Sequence, residues 1–329
     1  MKAIVLLSGG LDSSLALKMI ADQGIETVAL HFVSSFCRCD GSKGCGSSAR
    51  KISDFVGVGL KIIHLKEEYL DIIKNPKHGY GKNLNPCIDC RILKFTRARE
   101  IMEDEGASFV VTGEVLGQRP MSQHRRAMSL IEKESGLTDL IVRPLCAKVM
   151  EPALPEREGW VEREKFLDLT GRNRTPQIKL AKDFGIKDYP CPAGGCLLTD
   201  PLFAKRLRDL MTRGVFDLAN VELLKVGRHF RISPFFKVIV GRNEKENEQL
   251  SALKEESDII FYPEEEVAGP TAIGRGQGTE EDVLLAAGIM ARYTDAESEE
   301  VKVQIETGAD SKTVTVQKKD DAFLDEIRI

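Results

Sequence analysis

The chain has 329 residues, 42% of them hydrophobic and 30% charged, with a formal net charge of −4 and eight cysteines. That length accommodates two or three domains. The charge balance argues against a generally basic nucleic-acid binder but not against a local basic face, and no apolar run is long enough to span a membrane. The N-terminus reads as a strand rather than a signal peptide, so a cytoplasmic location without a membrane partner is expected. In that setting clustered cysteines point to metal binding or catalysis more than to disulfides.

Residues 3–7, AIVLL, predict a short buried strand, and Leu15, Leu17, Met19 and Ile20 recur at near-helical spacing from Ser13 onward. SGGLDSS (8–14) is therefore a strand-to-helix turn. Gly9 and Gly10 let backbone approach a ligand, and Ser8, Ser13 and Ser14 add hydroxyls. The first N–H groups of a helix lack internal partners, and its dipole favours anions. Together these make a phosphate cradle. A simpler alternative is a tight turn with Asp12 or Ser13 capping the helix. It is not a Walker A loop, because it has no lysine.

Further strands are expected at 26–34, 55–65, 106–114 and 137–145, with helical stretches such as 92–106 between them. This alternation predicts an α/β fold, a doubly wound parallel sheet. Ligands of such sheets bind at the carboxyl ends of the strands, where SGGLDSS, HFVS, TGE and RPL would converge. His31, Gly113 and Glu114 would then lie beside a nucleotide, and Lys148 could neutralise phosphate; a satisfied buried histidine and a surface lysine are the alternatives. Residues 151–160 read as a connection. The following stretch looks helical around CPAGGC, and 220–329 reads as a smaller α+β domain with a hairpin at 300–319. The expected domains are 1–160, 161–219 and 220–329.

The cysteines are grouped: Cys37, Cys39 and Cys45 in FCRCDGSKGC, Cys87 and Cys90 in NPCIDC, Cys191 and Cys196 in CPAGGC, with Cys146 alone. CxxC supports three readings: a zinc half-site completed by CPAGGC, a redox dithiol, or three thiolates on an iron–sulfur cluster. The first trio could bind zinc with one outside ligand, or be a reducible surface loop. Cys146, after an apolar strand, is expected to be a buried free thiol.

SGGLDSS resembles the PP-loop of the N-type ATP pyrophosphatases, of the PP-loop/HUP fold type. The resemblance implies that Ser8, Gly9, Gly10, Asp12, Ser13 and Ser14 hold the pyrophosphate of ATP with Mg²⁺, Asp12 orienting the metal or the loop. NPCIDCRILKF and CPAGGCLLTD resemble stretches of the tRNA 2-thiouridylases, and TGEVLGQ resembles one of the 4-thiouridine synthases. These motifs run from residue 1 to about 210 and resemble the PP-loop tRNA thiolation enzymes. The implied activity is adenylation of a uracil carbonyl and exchange of its oxygen for sulfur. By that resemblance Cys87, Cys90 and Cys196 would hold a 4Fe–4S cluster. In members without a cluster, Cys196 would carry a persulfide that Cys90 resolves. Cys191 could replace Cys196 or add a fourth ligand. The implied partners are tRNA and a sulfur donor, either sulfide or a persulfide-carrying protein, and a homodimer is a further possibility.

FFKVIVGRNEKENEQL and the Gly/Pro-rich loop after SDIIFYPEEE resemble the NFACT-R RNA-binding domain. That implies tRNA docking through Arg228, Arg231, Arg242 and Arg275. The 4-thiouridine synthases usually carry an RNA-binding domain ahead of the PP-loop, so here the C-terminal domain is expected to take that task, or the target base differs. The stretches 119–126 and 163–182 are candidate phosphate-gripping faces or solvated helix surfaces, and Trp160 is more a packing residue than a base-stacking one. Two other readings stay open. One is a PP-loop adenylating enzyme for a small metabolite; the other is a metal-containing RNA-binding protein without catalysis.

Overall fold

The computed structural model describes residues 1–37, 45–187, 189 and 196–329. Cys39, Cys191 and the side chain of Cys45 lie outside them. The chain forms two compact units, residues 1–199 and 200–329. In the first, chain order runs β1 (Lys2–Leu6), α1 (Leu11–Ala21), β2 (Glu26–Ser34), α2 (Cys45–Val56), β3 (Gly59–Leu65), α3 (Glu67–Lys74), α4 (Cys87–Asp104), β4 (Phe109–Thr112), α5 (Arg125–Ser135), β5 (Ile141–Val142), α6 (Leu154–Arg157) and α7 (Thr175–Asp183).

The five strands form one parallel sheet in the order β3-β2-β1-β4-β5. The doubly wound parallel sheet is thus as expected. The chain winds outward from β1 to β3, then returns to pair β4 against the other side of β1. The loops after β1 and β4 therefore meet at the point where the winding reverses, the usual ligand site of such sheets. The central strand is covered on both faces. Ala3 and Val5 pack into one core with Leu15 of α1 and Phe166, and Ile4 packs into the other with Phe95 of α4 and Ile131 of α5. That is why 3–7 is a continuous apolar run rather than an alternating one. Trp160 packs on Phe109, ring centroids 6.3 Å apart, as a core residue.

The second unit contains α8 (Pro201–Arg213), α9 (Leu218–Leu223), β6 (Arg228–Ser233), β7 (Phe236–Val240), α10 (Glu244–Leu253), β8 (Ile259–Pro263), β9 (Ala272–Gly276), α11 (Glu280–Ala291), β10 (Glu300–Thr307), β11 (Asp310–Gln317) and α12 (Asp321–Ile327). Its six strands form a separate antiparallel sheet in the order β11-β10-β8-β9-β7-β6. The hairpin foreseen at 300–319 is β10–β11, turning at Gly308 with φ +59°. Among the described residues no helix is long and apolar enough to cross a membrane.

In this sheet Lys237 stands directly between Arg231 of β6 and Arg275 of β9. Its side chain is buried and its amine has no hydrogen-bond partner. Burial, then repulsion by Arg231 and Arg275, pulls the amine down to about 8, with Asp209 and Asp258 opposing. Below about 8 both states carry the proton, and the fold bears the full cost of the buried charge. Between there and the ordinary 10.5 the unfolded chain binds more protons, so stability rises with pH until the cost is gone. Lys237→Met is expected to raise the melting temperature near neutral pH by ~5 °C. The gain should shrink as the pH approaches 10.5, and a lower melting temperature at neutral pH would count against this account.

Candidate active site

A cavity of about 380 Å³ opens at the carboxyl ends of β1, β2 and β4. Ser8, Gly10, Asp12 and Ser13 line it from the first loop, His31 from β2, Gly113 and Glu114 from the end of β4, and Cys87, Cys90 and Cys196 from two distant segments. Of the residues singled out in the sequence, Gly9, Ser14 and Lys148 are not on its wall. The amine of Lys148 donates to the Glu164 carbonyl at 2.8 Å instead.

The SGGLDSS turn is organised by its own hydroxyls. The Ser8 N–H donates to Ser13 Oγ at 3.2 Å, and the Ser13 and Ser14 hydroxyls donate to the Gly10 carbonyl at 3.0 and 2.9 Å. Ser14 is thus a buried prop for the helix start. Gly9 has φ +75°, where a side chain is strained, whereas Gly10 is in extended backbone open to other residues. The Asp12 carboxylate accepts from Gln118 Nε2 at 2.6 Å, and Gln118 in turn accepts from the buried Gln177 at 3.1 Å. These amides fix one carboxylate oxygen and leave the other, Oδ1, buried without a hydrogen-bond partner among the described residues. An orphaned anionic oxygen beside a phosphate cradle fits a Mg²⁺ ligand.

Gly113 has a different role from contact with a nucleotide alone. A Cβ there would lie 2.5 Å from the Asp12 carbonyl and the Ser13 nitrogen. Its missing side chain is what allows β4 to abut the first turn of α1. His31 offers Nδ1 to the Leu7 carbonyl at 2.8 Å, and burial lowers its pKa, so the ring is held neutral.

Glu114 is the largest departure from the sequence reading. Its carboxylate is buried and ion-paired with Arg143 Nε at 2.9 Å and Arg91 at 2.7 Å. Arg143 continues to Glu132 of α5 at 2.6 Å. Burial alone would push the carboxyl up, but Arg91 and Arg143 more than offset it, and its pKa lies below the usual range. Arg91 follows Cys90 on α4, so this ion cluster fastens the cysteine-bearing turn to the end of β4. Arg91, Lys94 and Arg119 also bring cationic side chains to the cavity wall. Arg91 and Lys94 lie within NPCIDCRILKF, yet the spacing of that motif does not show which way they face.

Cys87 opens α4 behind Pro86. Two contacts bring this turn to the CPAGGC end: the Leu84 N–H donates to the Leu198 carbonyl at 3.2 Å, and Asn83 Nδ2 to the Thr199 carbonyl at 2.8 Å. Burial, first of all, pushes the Cys196 thiol up to about 12, with Cys90 and Cys37 adding to it and Lys94 opposing. Tyr69 is buried, and burial first, then the neighbouring Cys90, Cys196 and Cys37, push its hydroxyl well above the usual range. Cys146 is the buried free thiol expected; it donates to the Glu114 carbonyl at 3.3 Å and is pushed up to about 11. Cys37, grouped in the sequence with Cys39 and Cys45, lines the cavity. The zinc site considered for that trio falls partly outside the described residues. Although Cys87, Cys90 and Cys196 share one wall, among the described residues no three His, Cys, Asp or Glu side chains come together as a metal site. No step below is routed through a cluster.

In the second unit, the four arginines considered for RNA docking are engaged within the unit. Arg231 is bidentate on Asp209, Arg275 is buried on Asp258 and Asn220, Arg242 pairs with Glu246, and Arg228 lies over the Tyr293 ring, 4.4 Å from its centroid. The partners come from around the sheet: Asp209 from α8, Asn220 from α9, Glu246 from α10 and Asp258 from the residues just before β8.

A glycine- and serine-rich turn at the winding reversal of a parallel sheet is the arrangement of the doubly wound nucleotide-binding folds. Residues 1–133 match the family described as "tRNA methyl transferase HUP domain", and residues 227–326 match the "NFACT protein RNA binding domain". The chain is 32% identical over 101 residues to the tRNA-specific 2-thiouridylase of Beutenbergia cavernae, covering 27% of each chain. It is 30% identical over 245 residues to that of Acidothermus cellulolyticus, covering 70% of this chain and 64% of that one. It thus spans less than two thirds of the length of either relative. A solved 4-thiouridine synthetase–RNA complex with bound ATP is 23% identical, with a TM-score of 0.40, covering 67% of this chain and 52% of that one. The chain thus joins a HUP-type domain over residues 1–133 to an NFACT-type unit over residues 227–326.

Glu114→Gln would leave Arg143 buried with its charge uncompensated on one side. It is expected to cost about 3 to 5 kcal/mol of stability in denaturant unfolding. Because the pKa of Glu114 is depressed, the wild-type contribution is present above the ordinary carboxylate value and is lost as pH falls through the folded one. A variant as stable as wild type at neutral pH would contradict this. Gly113→Ala should weaken ATP binding at least tenfold, read by calorimetry; unchanged binding would show that α1 can yield at no cost.

Proposed function

We propose that this protein is an ATP-dependent tRNA sulfurtransferase that replaces a uracil carbonyl oxygen with sulfur, giving 2-thiouridine or 4-thiouridine. The single observation that carries the reading is the meeting in one cavity of the SGGLDSS cradle, a cationic wall and thiols from NPCIDC and CPAGGC. Thiols beside a phosphate site suit a reaction that activates an oxygen and then displaces it with sulfur. The family match of residues 1–133 and the 2-thiouridylase relatives support it, and the NFACT-type unit is the candidate for holding tRNA.

The uracil oxygen is a poor leaving group, so it first attacks the α-phosphorus of ATP. Pyrophosphate departs into the N–H groups at the start of α1, while Arg91, Lys94 and Arg119 balance the charge that develops. Asp12, with its free Oδ1, would hold Mg²⁺, which supplies charge neutralisation on the phosphates. Sulfur then bonds to the activated carbon and AMP leaves. Cys196 carries that sulfur and Cys90 lies beside it; should a 4Fe–4S cluster be present, Cys87, Cys90 and Cys196 would hold it. A protonated Cys196 is a weak nucleophile near neutrality, which favours delivery of sulfur already attached to it as a persulfide. The target base must be unstacked to enter.

The test uses anaerobic protein with ATP, a sulfide or persulfide source and unmodified tRNA, followed by nucleoside mass spectrometry. Wild type should yield a thiouridine whose isomer and position identify the target. Cys196→Ser should lower it at least 100-fold while pyrophosphate release persists, and Asp12→Asn should lose both. Pyrophosphate release that ignores tRNA and yields no thionucleoside would instead favour a small-metabolite adenylating enzyme.

A further inference from the structure

Cys37 is a thiol outside both cysteine motifs of the thiolation site, yet it lines the same cavity. Cys37 and Cys196 face each other in an isolated antiparallel bridge. The Leu197 N–H donates to the Phe36 carbonyl at 3.1 Å, so a hydrogen bond joins residues flanking the pair. This is the pattern of a non-hydrogen-bonded position in an antiparallel ladder, where opposed Cα atoms are ~4.5 Å apart and side chains approach most closely. Such a separation lies inside the range of about 4.4–6.8 Å that a disulfide spans. Cys90 is held differently. It stands on the first turn of α4, where its backbone N–H donates to the Pro86 carbonyl at 2.9 Å. Cys37 Sγ lies 3.6 Å from the Ser34 hydroxyl.

We propose that Cys37, not Cys90, is the disulfide partner of Cys196 in this site. The role of the pair in sulfur transfer rests on the thiolation reading; the pairing itself does not. In the transfer, the terminal sulfur of a Cys196 persulfide bonds to the activated uracil carbon as AMP leaves, giving a uracil–S–S–Cys196 link. Cys37 releases its proton to solvent and attacks Cys196 Sγ. The Cys37–Cys196 bond forms, the bond from Cys196 to the uracil sulfur breaks, and its electron pair stays on that sulfur, which becomes the thiocarbonyl. The Cys37 thiol is thereby oxidised and the transferred sulfur is reduced to the same extent, while Cys196, already oxidised as the persulfide, stays at the disulfide level. A dithiol reductant then returns both cysteines to thiols and leaves as its own disulfide.

The pairing is tested on the full chain without tRNA. Protein oxidised with diamide is alkylated, digested without reduction and analysed by mass spectrometry. The expected product is a peptide linking Cys37 to Cys196, with Cys90 alkylated; the link should persist in Cys90→Ser and vanish in Cys37→Ser. A Cys90–Cys196 link as the main product, or a fully alkylated Cys196, would overturn the pairing, and because this arm is read on wild type it does not depend on a variant folding. In a single turnover from persulfide-loaded protein, Cys37→Ser should hold tRNA in an adduct that releases thiouridine only on adding dithiothreitol. Equal release from Cys37→Ser and wild type would overturn the proposed role. A mapped Cys37–Cys196 link with no thionucleoside from wild type would leave the pairing standing and remove the thiolation reading instead.

Discussion

The site depends on a buried carboxylate held between two arginines. Glu114 lies just beyond β4, Arg143 just beyond β5, and Arg91 on the turn that bears the cysteines. No single partner could be buried alone, since an isolated charge in the core costs far more than the fold can spare. Joined, they make the end of the sheet and the start of α4 one rigid piece. Gly113 completes that piece from the other side by letting α1 close onto β4. The SGGLDSS turn and the thiols are thus set at a fixed spacing by this ion cluster and by Gly113.

That spacing places two electrostatic environments side by side. Around SGGLDSS and α4 the wall carries open N–H groups and cationic side chains, suited to anions. Around Cys196 the surroundings withdraw water, and the thiol stays protonated. A resting thiol in such a pocket is protected from adventitious chemistry. In the proposed reaction its sulfur becomes available through covalent loading rather than through a depressed pKa. The same burial makes the neighbouring thiol at Cys37 consequential, because contact geometry then decides which sulfur resolves which.

Much of the fold was legible because parallel sheets leave a simple trace. The 26–34 strand, the hairpin at 300–319 and the turn at SGGLDSS follow from apolar runs and punctuating residues. The strand at 55–65 was read too long, since residues 55–56 end α2 before β3 begins at Gly59. Its Phe-Val-Gly-Val start carries the apolar character of either element. In the site, the cradle and the cysteine motifs could be found from local spacing. The Glu114–Arg91–Arg143 cluster could not, because its members are separated by tens of residues and charge alone does not reveal burial. Gly113 was visible as part of TGE but its close approach to α1 was not. Arg231 and Arg275 of the second unit were read as RNA-docking cations for the same reason: their partners Asp209 and Asp258 lie well away from them in sequence.

The central claim is that the oxygen removed from the uracil is the one that takes AMP. It is tested most directly with tRNA whose uracil carbonyls carry ¹⁸O, in a single turnover with ATP and a persulfide source, with the released AMP analysed by mass spectrometry. The account predicts that each thiouridine formed is matched by one AMP bearing one ¹⁸O in its phosphate. Thiouridine formed alongside unlabelled AMP would mean that ATP is cleaved elsewhere, and the coupling of cradle and thiols described here would be wrong.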